Sequence, residues 1–244
     1  MLTEGEIKRY AHLRRLRLID QIWKDYLQDI LLHLLYRKMP DMVFSGGTCI
    51  WKVLKGDRFS EDIDAFMASI PPDLTEYLKK ELSLLGVSCN VLKKKKTQNM
   101  LFLKLELSFP SHPRNIFLSA EILSGQQKEK EAFTLFSPYP DIPPVDMVIL
   151  SPKALLIDKV SAIFERSKPR DIHDLYLLLK RGTEINMDAI YKKMPGFTIE
   201  GFRKKILEKQ PLWKSLEPLI VTKLPPLKEE ADFILSLFQK AITR

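Results

Sequence analysis

The stretch Asp62-Ile63-Asp64-Ala65-Phe66 limits what this chain can fold into more than any other. In an extended strand alternate side chains leave the same face, so Asp62 and Asp64 project together with Cα atoms roughly 6.5 to 7 Å apart. Two ionised carboxylates that close repel by a few kcal/mol at an effective dielectric of about 20, and a fold that keeps both usually neutralises them with a cation. Magnesium suits the place, because it is a hard ion that takes one or two carboxylates together with substrate phosphates. The plain alternative is an acidic strand end in water. Ile63, Ala65 and Phe66 argue against it, since apolar neighbours favour a half-buried strand over a loose loop.

Sixteen residues before Asp62 stands Gly46, followed by Gly47 and Thr48. Met42, Val43 and Phe44 predict a short buried strand, and residues 48–54 predict a helical stretch, so the glycines fall at a strand-to-helix junction. Glycine lets backbone approach a ligand closely, and a helix start offers unpaired N–H groups and a favourable dipole end for a triphosphate. Thr48 adds a hydroxyl. Arg58 and Ser60 arrive just before the acidic pair, where a cation and a hydroxyl could reach phosphate oxygens. Either could equally be a surface polar residue.

A second block begins at Ser151-Pro152, a hydroxyl N-cap with proline at the first helical position. The helical repeat then puts Leu155, Lys159, Ala162 and Arg166 on one face, which predicts a partly buried positive rail able to hold phosphates. Snorkelling side chains on an amphipathic helix are the alternative. Lys168-Pro169 breaks that helix. In the next one Asp171 and Asp174 face together, and His173 points elsewhere and reads as structural.

Taken together, Gly46, Gly47, Thr48, Arg58, Ser60, Asp62 and Asp64, followed by a second block at Ser151 to Arg166 and Lys168 to Tyr176, resemble the AbiEii-type nucleotidyltransferases. These are toxins of toxin-antitoxin systems built on the polymerase-beta-like nucleotidyltransferase fold. The likeness runs from about residue 40 to 180. It implies magnesium and an NTP substrate, a separately encoded antitoxin, and nucleotide transfer onto an RNA acceptor such as tRNA. It also implies that Lys159 and Asp171 match positions important for activity. The broader superfamily often has serine after glycine at the phosphate turn, and this chain has Gly47-Thr48 as the toxin-like branch does.

That fold usually supplies a third carboxylate from a later strand. Residues 101–109 alternate, with Leu101, Leu103, Leu105, Leu107 and Phe109 on one face and Phe102, Lys104, Glu106 and Ser108 on the other. Residues 116–123 place Ile116, Leu118, Ala120 and Ile122 on one side and leave Glu121 opposite, with Phe117, Ser119 and Leu123. An unpaired acid in so apolar a strand needs a metal or a lysine, which selects Glu121 over Glu106. Lys159 could be that partner in a purely structural salt bridge.

The chain has 244 residues, 45% hydrophobic, enough for a sizeable core in one or two domains. Neither end reads as a targeting signal, and no uncharged run approaches the roughly 18 residues of a membrane span. Cys49 and Cys89 are the only cysteines, which fits a reducing cytoplasm. The formal charge is +8, and Lys93 to Lys96 form an unbroken cationic run placed between predicted strands at 87–92 and 100–109. That balance favours a polyanionic partner, although a four-lysine hairpin could simply blunt a sheet edge.

Thr3 and Glu6 predict a capping box before an N-terminal helix, and a longer apolar-striped helix runs to about Lys38. A further helix is predicted at 74–85. Proline-rich residues 138–144 are expected to separate a first domain, 1–140, from a helical second domain, 141–244. The expected architecture is therefore α+β: a polymerase-beta-like nucleotidyltransferase core, a mixed sheet flanked by helices, with a C-terminal helical domain and the nucleotide between them. Asp62, Asp64 and Glu121 are the expected metal ligands. Gly46, Gly47, Thr48 and Ser60 are expected to cradle phosphates, with Arg58, Lys159 and Arg166 offsetting charge and Asp171 contributing to catalysis. Transfer to a small molecule, phosphoryl transfer to a protein partner, and a catalytically silent RNA- or protein-binding module remain open alternatives.

Overall fold

A computed structural model describes residues 1–109, 112, 114–125 and 129–243. The chain divides into two compact units, Met1–Lys55 with Phe59–Leu150, and Gly56–Arg58 with Ser151–Arg244. The break after Leu150 comes ten residues later than the expected one, because residues 145–150 form a strand that belongs to the first unit.

In the first unit, α1 (Glu4–Ala11) opens on the expected capping box, in which the Thr3 side chain accepts from the Glu6 N–H and Glu6 caps back. A short 3-10 turn, His12–Arg14, leads to α2 (Ile19–Lys38). Then follow β1 (Val43–Ser45), α3 (Gly46–Lys52), β2 (Asp62–Met67) and α4 (Leu74–Leu84). The remaining strands are β3 (Ser88–Thr97), β4 (Met100–Ser108), β5 (Ile116–Ser124), β6 (Lys130–Leu135) and β7 (Val145–Leu150). Among the described residues they form one mixed sheet in the order β3-β4-β5-β2-β1-β7-β6. β2 with β5 and β1 with β7 are parallel, and the other pairs are antiparallel.

One face of this sheet is apolar because the alternation is strict: Ile63, Ala65, Leu101, Leu103, Leu105, Leu107, Leu118, Ala120 and Ile122 are all buried. Helix α2 lies against β5 and β7, bringing Trp23, Tyr26, Leu27 and Leu31 into the same core. Each such leucine or isoleucine contributes roughly 1.5 to 3 kcal/mol by leaving water. The other face of β2, β5 and β4 carries the polar half of each alternation.

Two expectations are corrected here. The four lysines are not a hairpin, since Lys93 to Lys96 all lie within β3, paired to β4. The region after the prolines is not wholly helical either, because β7 pairs with both β1 and β6 there.

The second unit is helical: α5 (Pro152–Glu165), α6 (Arg170–Lys180), α7 (Met187–Lys193), α8 (Ile199–Leu207), a 3-10 segment Gln210–Leu219, and α9 (Leu227–Ile242). Ser151 caps α5 by accepting from the Ala154 N–H, with Pro152 at the first turn, as the sequence indicates. α6 and α8 both pack on α9, and Phe202 meets Phe238 with ring centroids 4.9 Å apart. Among the described residues no helix is long and apolar enough to cross a membrane.

Candidate active site

Asp62 and Asp64 leave one face of β2 and are partly exposed, while Ile63 and Ala65 are buried on the other face. The strand pairing then decides what stands beside them. On parallel β5, Glu121 is in register with Asp64 and Ser119 with Asp62; on β1, Ser45 is opposite Asp64. Neighbouring strands lie about 4.8 Å apart, so Asp64 and Glu121 share a row. Glu106 is placed differently, one strand farther out on β4 opposite Phe117, where Asn115 donates to it at 2.8 Å and Asn90 at 3.3 Å.

The glycine turn meets this row directly. Gly46 has φ +72°, and a Cβ built there would stand 2.1 Å from Asp64 Oδ2 and 2.8 Å from its Cβ and Cγ. Glycine is required twice at this position, once for the left-handed backbone and once because the Asp64 carboxylate rests against the turn. Gly47 follows in the first turn of α3 and is buried.

Thr48 and Ser60 are placed otherwise than the sequence suggests. Thr48 is fully buried and its hydroxyl donates to the Asp62 carbonyl, which ties α3 to β2. Ser60 is also buried, and Gln28 Nε2 donates to the carbonyls of Ser60 (2.9 Å) and Glu61 (2.8 Å), which fixes the chain as it enters β2.

A buried charge network that the sequence reading missed anchors α3 from its other end. Lys52 Nζ donates to Asp25 Oδ1 at 2.7 Å and Asp29 Oδ1 at 2.6 Å, and Arg14 reaches the second oxygens at 2.6 and 2.9 Å. Trp51 Nε1 and the Tyr139 hydroxyl also donate to Asp25, and Ser137 donates to Asp29. Burial alone would raise the Asp25 pKa, but Arg14 and Lys52 outweigh it and hold the carboxyl well below its usual range. The signal was visible in the sequence: Asp25 and Asp29 are four apart, flanked by the apolar rows of Ile22, Tyr26, Ile30 and Leu27, Leu31, and acids so placed demand partners.

The second unit assembles its own charge cluster. Arg58 binds Asp174 through two parallel bonds, Nε to Oδ1 at 2.7 Å and an amino nitrogen to Oδ2 at 2.9 Å. Lys159 bridges Asp174 at 2.7 Å and Asp171 at 3.2 Å, and Arg166 forks onto Asp171 at 2.8 and 2.6 Å. Burial opposes the ionisation of Asp174, yet Arg58 and Lys159 keep its pKa well below the carboxylate range. Arg58, expected near phosphate, is instead buried in this ion pair.

The rail of Lys159 and Arg166 along one helix face is also corrected. α5 ends at Glu165, Arg166 is extended at φ −139°, and its side chain, 42% exposed, folds back onto Asp171. On another face of α6, His173 is fully buried between Glu230 (Nδ1, 2.6 Å) and Asp57 (Nε2, 2.8 Å), and the Thr222 hydroxyl donates to Asp57 at 2.6 Å. Burial works against its protonation, but the two carboxylates prevail and raise its pKa to about 9.

In the first unit the donors are oxygens only, the ligand type of a hard cation. Among the described residues no group of three or more Asp, Glu, His or Cys side chains is arranged to hold a metal ion by itself. Magnesium does not need one, since it normally completes its shell with water and substrate phosphates. The cradle at Gly46, which a Cβ would fill, leaves the Asp64 carboxylate in place beside the turn. Asp62 and Asp64 are thus the side chains that could hold a magnesium ion in an open site, with Glu121 beside them in the row.

Comparison with known proteins bears on the fold and the family. Two solved structures from Helicobacter pylori share the fold. One, described as a candidate nucleotidyltransferase, is 19% identical with a TM-score of 0.63, covering 89% of this chain and 92% of that one. The other, JHP933, is 18% identical with a TM-score of 0.59, covering 91% and 95%. A search of curated proteins gave no significant match. The profile of the family described as nucleotidyl transferase AbiEii toxin, type IV toxin-antitoxin system, matches residues 29–235. The chain thus belongs to the AbiEii family of nucleotidyltransferase toxins.

Proposed function

We propose that this enzyme transfers a nucleotide from an NTP to an RNA acceptor with magnesium as cofactor, tRNA being the acceptor that the family resemblance suggests. The observation that carries the reading is the contact of Gly46 with Asp64, set in register with Glu121. Asp62 and Asp64 would hold the ion. When bound, it offsets phosphate charge and favours in-line displacement.

The backbone N–H groups at Gly46 and Gly47 face the triphosphate at the start of α3. Glu121 orients the acceptor hydroxyl toward the α-phosphorus and takes up its proton as the oxygen attacks. That oxygen forms the new bond, the bond from the α-phosphorus to the bridging oxygen breaks, and pyrophosphate leaves. Thr48, Gln28 and the Lys52 network keep the turn and β2 in their relative positions, which is the preorganisation that such electrostatic catalysis depends on.

In the second unit, three cations (Arg58, Lys159, Arg166) surround two carboxylates (Asp171, Asp174). One positive charge is in excess, and Arg166 is its exposed end. Asp171 is read here as a positioning residue that aims Arg166, with Lys159 shared between both acids. A cytoplasmic antitoxin protein is the expected partner. The test is incubation with each labelled NTP in the presence of tRNA, mixed RNA, small alcohols or a protein fraction. Label retained on RNA supports the reading. Label confined to alcohols, or phosphate alone on protein, refutes it.

A further inference from the structure

The face of the sheet that carries the acids does not stop at Glu121. The register continues it across two more strands in two parallel rows. One row runs Asp64, Glu121, Phe102, Lys95; the other runs Asp62, Ser119, Lys104, Lys93. Strand spacing of about 4.8 Å places the lysines of β3 roughly 14 Å from the aspartates of β2. Phe102 is partly exposed, and Lys93, Lys95 and Lys104 are exposed. Lys93 Nζ lies 6.0 Å from the Phe102 ring centroid.

Two details show that this charge is placed at a cost. Lys93 and Lys104 are directly opposite one another, and like charges in that position destabilise a sheet. The register shifts between Val91 and Lys93, which takes Leu92 out of the ladder and brings Lys93, in place of Leu92, opposite Lys104. Bulges commonly re-aim side chains in this way beside functional sites. Protection of an exposed edge would explain lysines on β3, but Lys104 is on β4, inside the sheet, where there is no edge to protect.

We propose that Lys93, Lys95, Lys104 and Phe102 form the docking surface for a single-stranded RNA end, with lysines tracking the backbone, Phe102 stacking a base, and the terminal hydroxyl delivered toward Asp64 and Glu121. Cationic grooves with an interleaved aromatic ring are the general solution for binding single strands without reading sequence. The assignment rests on the RNA-acceptor reading above, so its test uses binding as well as turnover.

The probe is a fluorescein-labelled single-stranded RNA about a dozen nucleotides long, followed by anisotropy over a salt series. The triple variant K93Q/K95Q/K104Q should bind about 10- to 100-fold more weakly, and its log–log salt slope should fall by about 2, near 0.7 per lost phosphate contact. Phe102→Leu should bind about tenfold more weakly with the slope unchanged. The control is K94Q/K96Q, because those lysines pair with Leu103 and Leu101 and so belong to the opposite face of the same strand. That double variant should bind as wild type.

In turnover, the triple variant should raise KM for RNA and leave KM for NTP unchanged. Equal loss in both sets of variants, no loss in either, no RNA binding by the wild type, or displacement by polyglutamate in preference to RNA would each overturn the proposal. Failure of the reaction itself, with face-specific RNA binding intact, would overturn the transferase reading and leave the surface standing.

Discussion

Replacing Gly46 by alanine separates the local strain of the turn from its contact with the acid. The backbone there is at φ +72°, which costs a residue with a Cβ about 1 to 2 kcal/mol. The new Cβ would also lie 2.1 Å from Asp64 Oδ2, closer than the 3.0 Å below which real Cβ contacts essentially never occur. The obstruction is the carboxylate itself, so Asp64 must retreat by nearly an ångström. Displacement on that scale can cost about 100-fold in rate, close to 2.7 kcal/mol of transition-state stabilisation.

Gly86→Ala supplies the control, because Gly86 is at φ +75° with nothing within 4 Å of its added Cβ. Both variants should melt lower by about 2 to 8 °C, and only Gly46→Ala should lose nucleotide incorporation. Full activity in Gly46→Ala, or the same loss in both, would refute the claim that this turn seats Asp64.

Further outcomes follow from other contacts. Lys52→Met leaves Asp25 and Asp29 with Arg14 as their remaining cation, and urea unfolding should show a loss of about 3 to 5 kcal/mol; under 1 kcal/mol would mean the network is not load-sharing. His173 has a folded pKa raised from 6.5 to about 9, so its contribution is complete below pH 6.5 and is lost as pH rises to about 9. That is at most roughly 3 kcal/mol, and His173→Gln should flatten this part of the stability profile measured by urea unfolding at stepped pH. Glu121→Gln should lower incorporation about 100-fold and Glu106→Gln should leave it near wild type; equal effects would remove the distinction drawn from their strands.

Much of the first unit was legible because its signals are local. Alternation alone put Asp62 and Asp64 on one face, and the same alternation singled out Glu121 amid apolar neighbours. The Thr3 capping box and the Ser151-Pro152 helix start are likewise read within a few residues. What was not legible depends on partners far along the chain. Arg58 and Asp174 are 116 residues apart, and nothing near either one announces their double hydrogen bond.

The strand identity of Lys93 to Lys96 comes from the ladder with β4 overriding a poor local propensity. β7 lies in the sheet because β1 and β6 flank it, which residues 145–150 alone do not reveal. Arg166 was assigned to a helix face by periodicity, but α5 ends one residue earlier, and helix ends are where such patterns fail.

The most direct test is calorimetric binding of NTP with and without magnesium, comparing wild type with Asp62→Asn and Asp64→Ala. Wild type should bind NTP at least tenfold more tightly with the ion, and both variants should lose that gain while unfolding near the wild-type temperature. A magnesium-dependent gain that survives in either well-folded variant would contradict the assignment of the metal to this pair of acids.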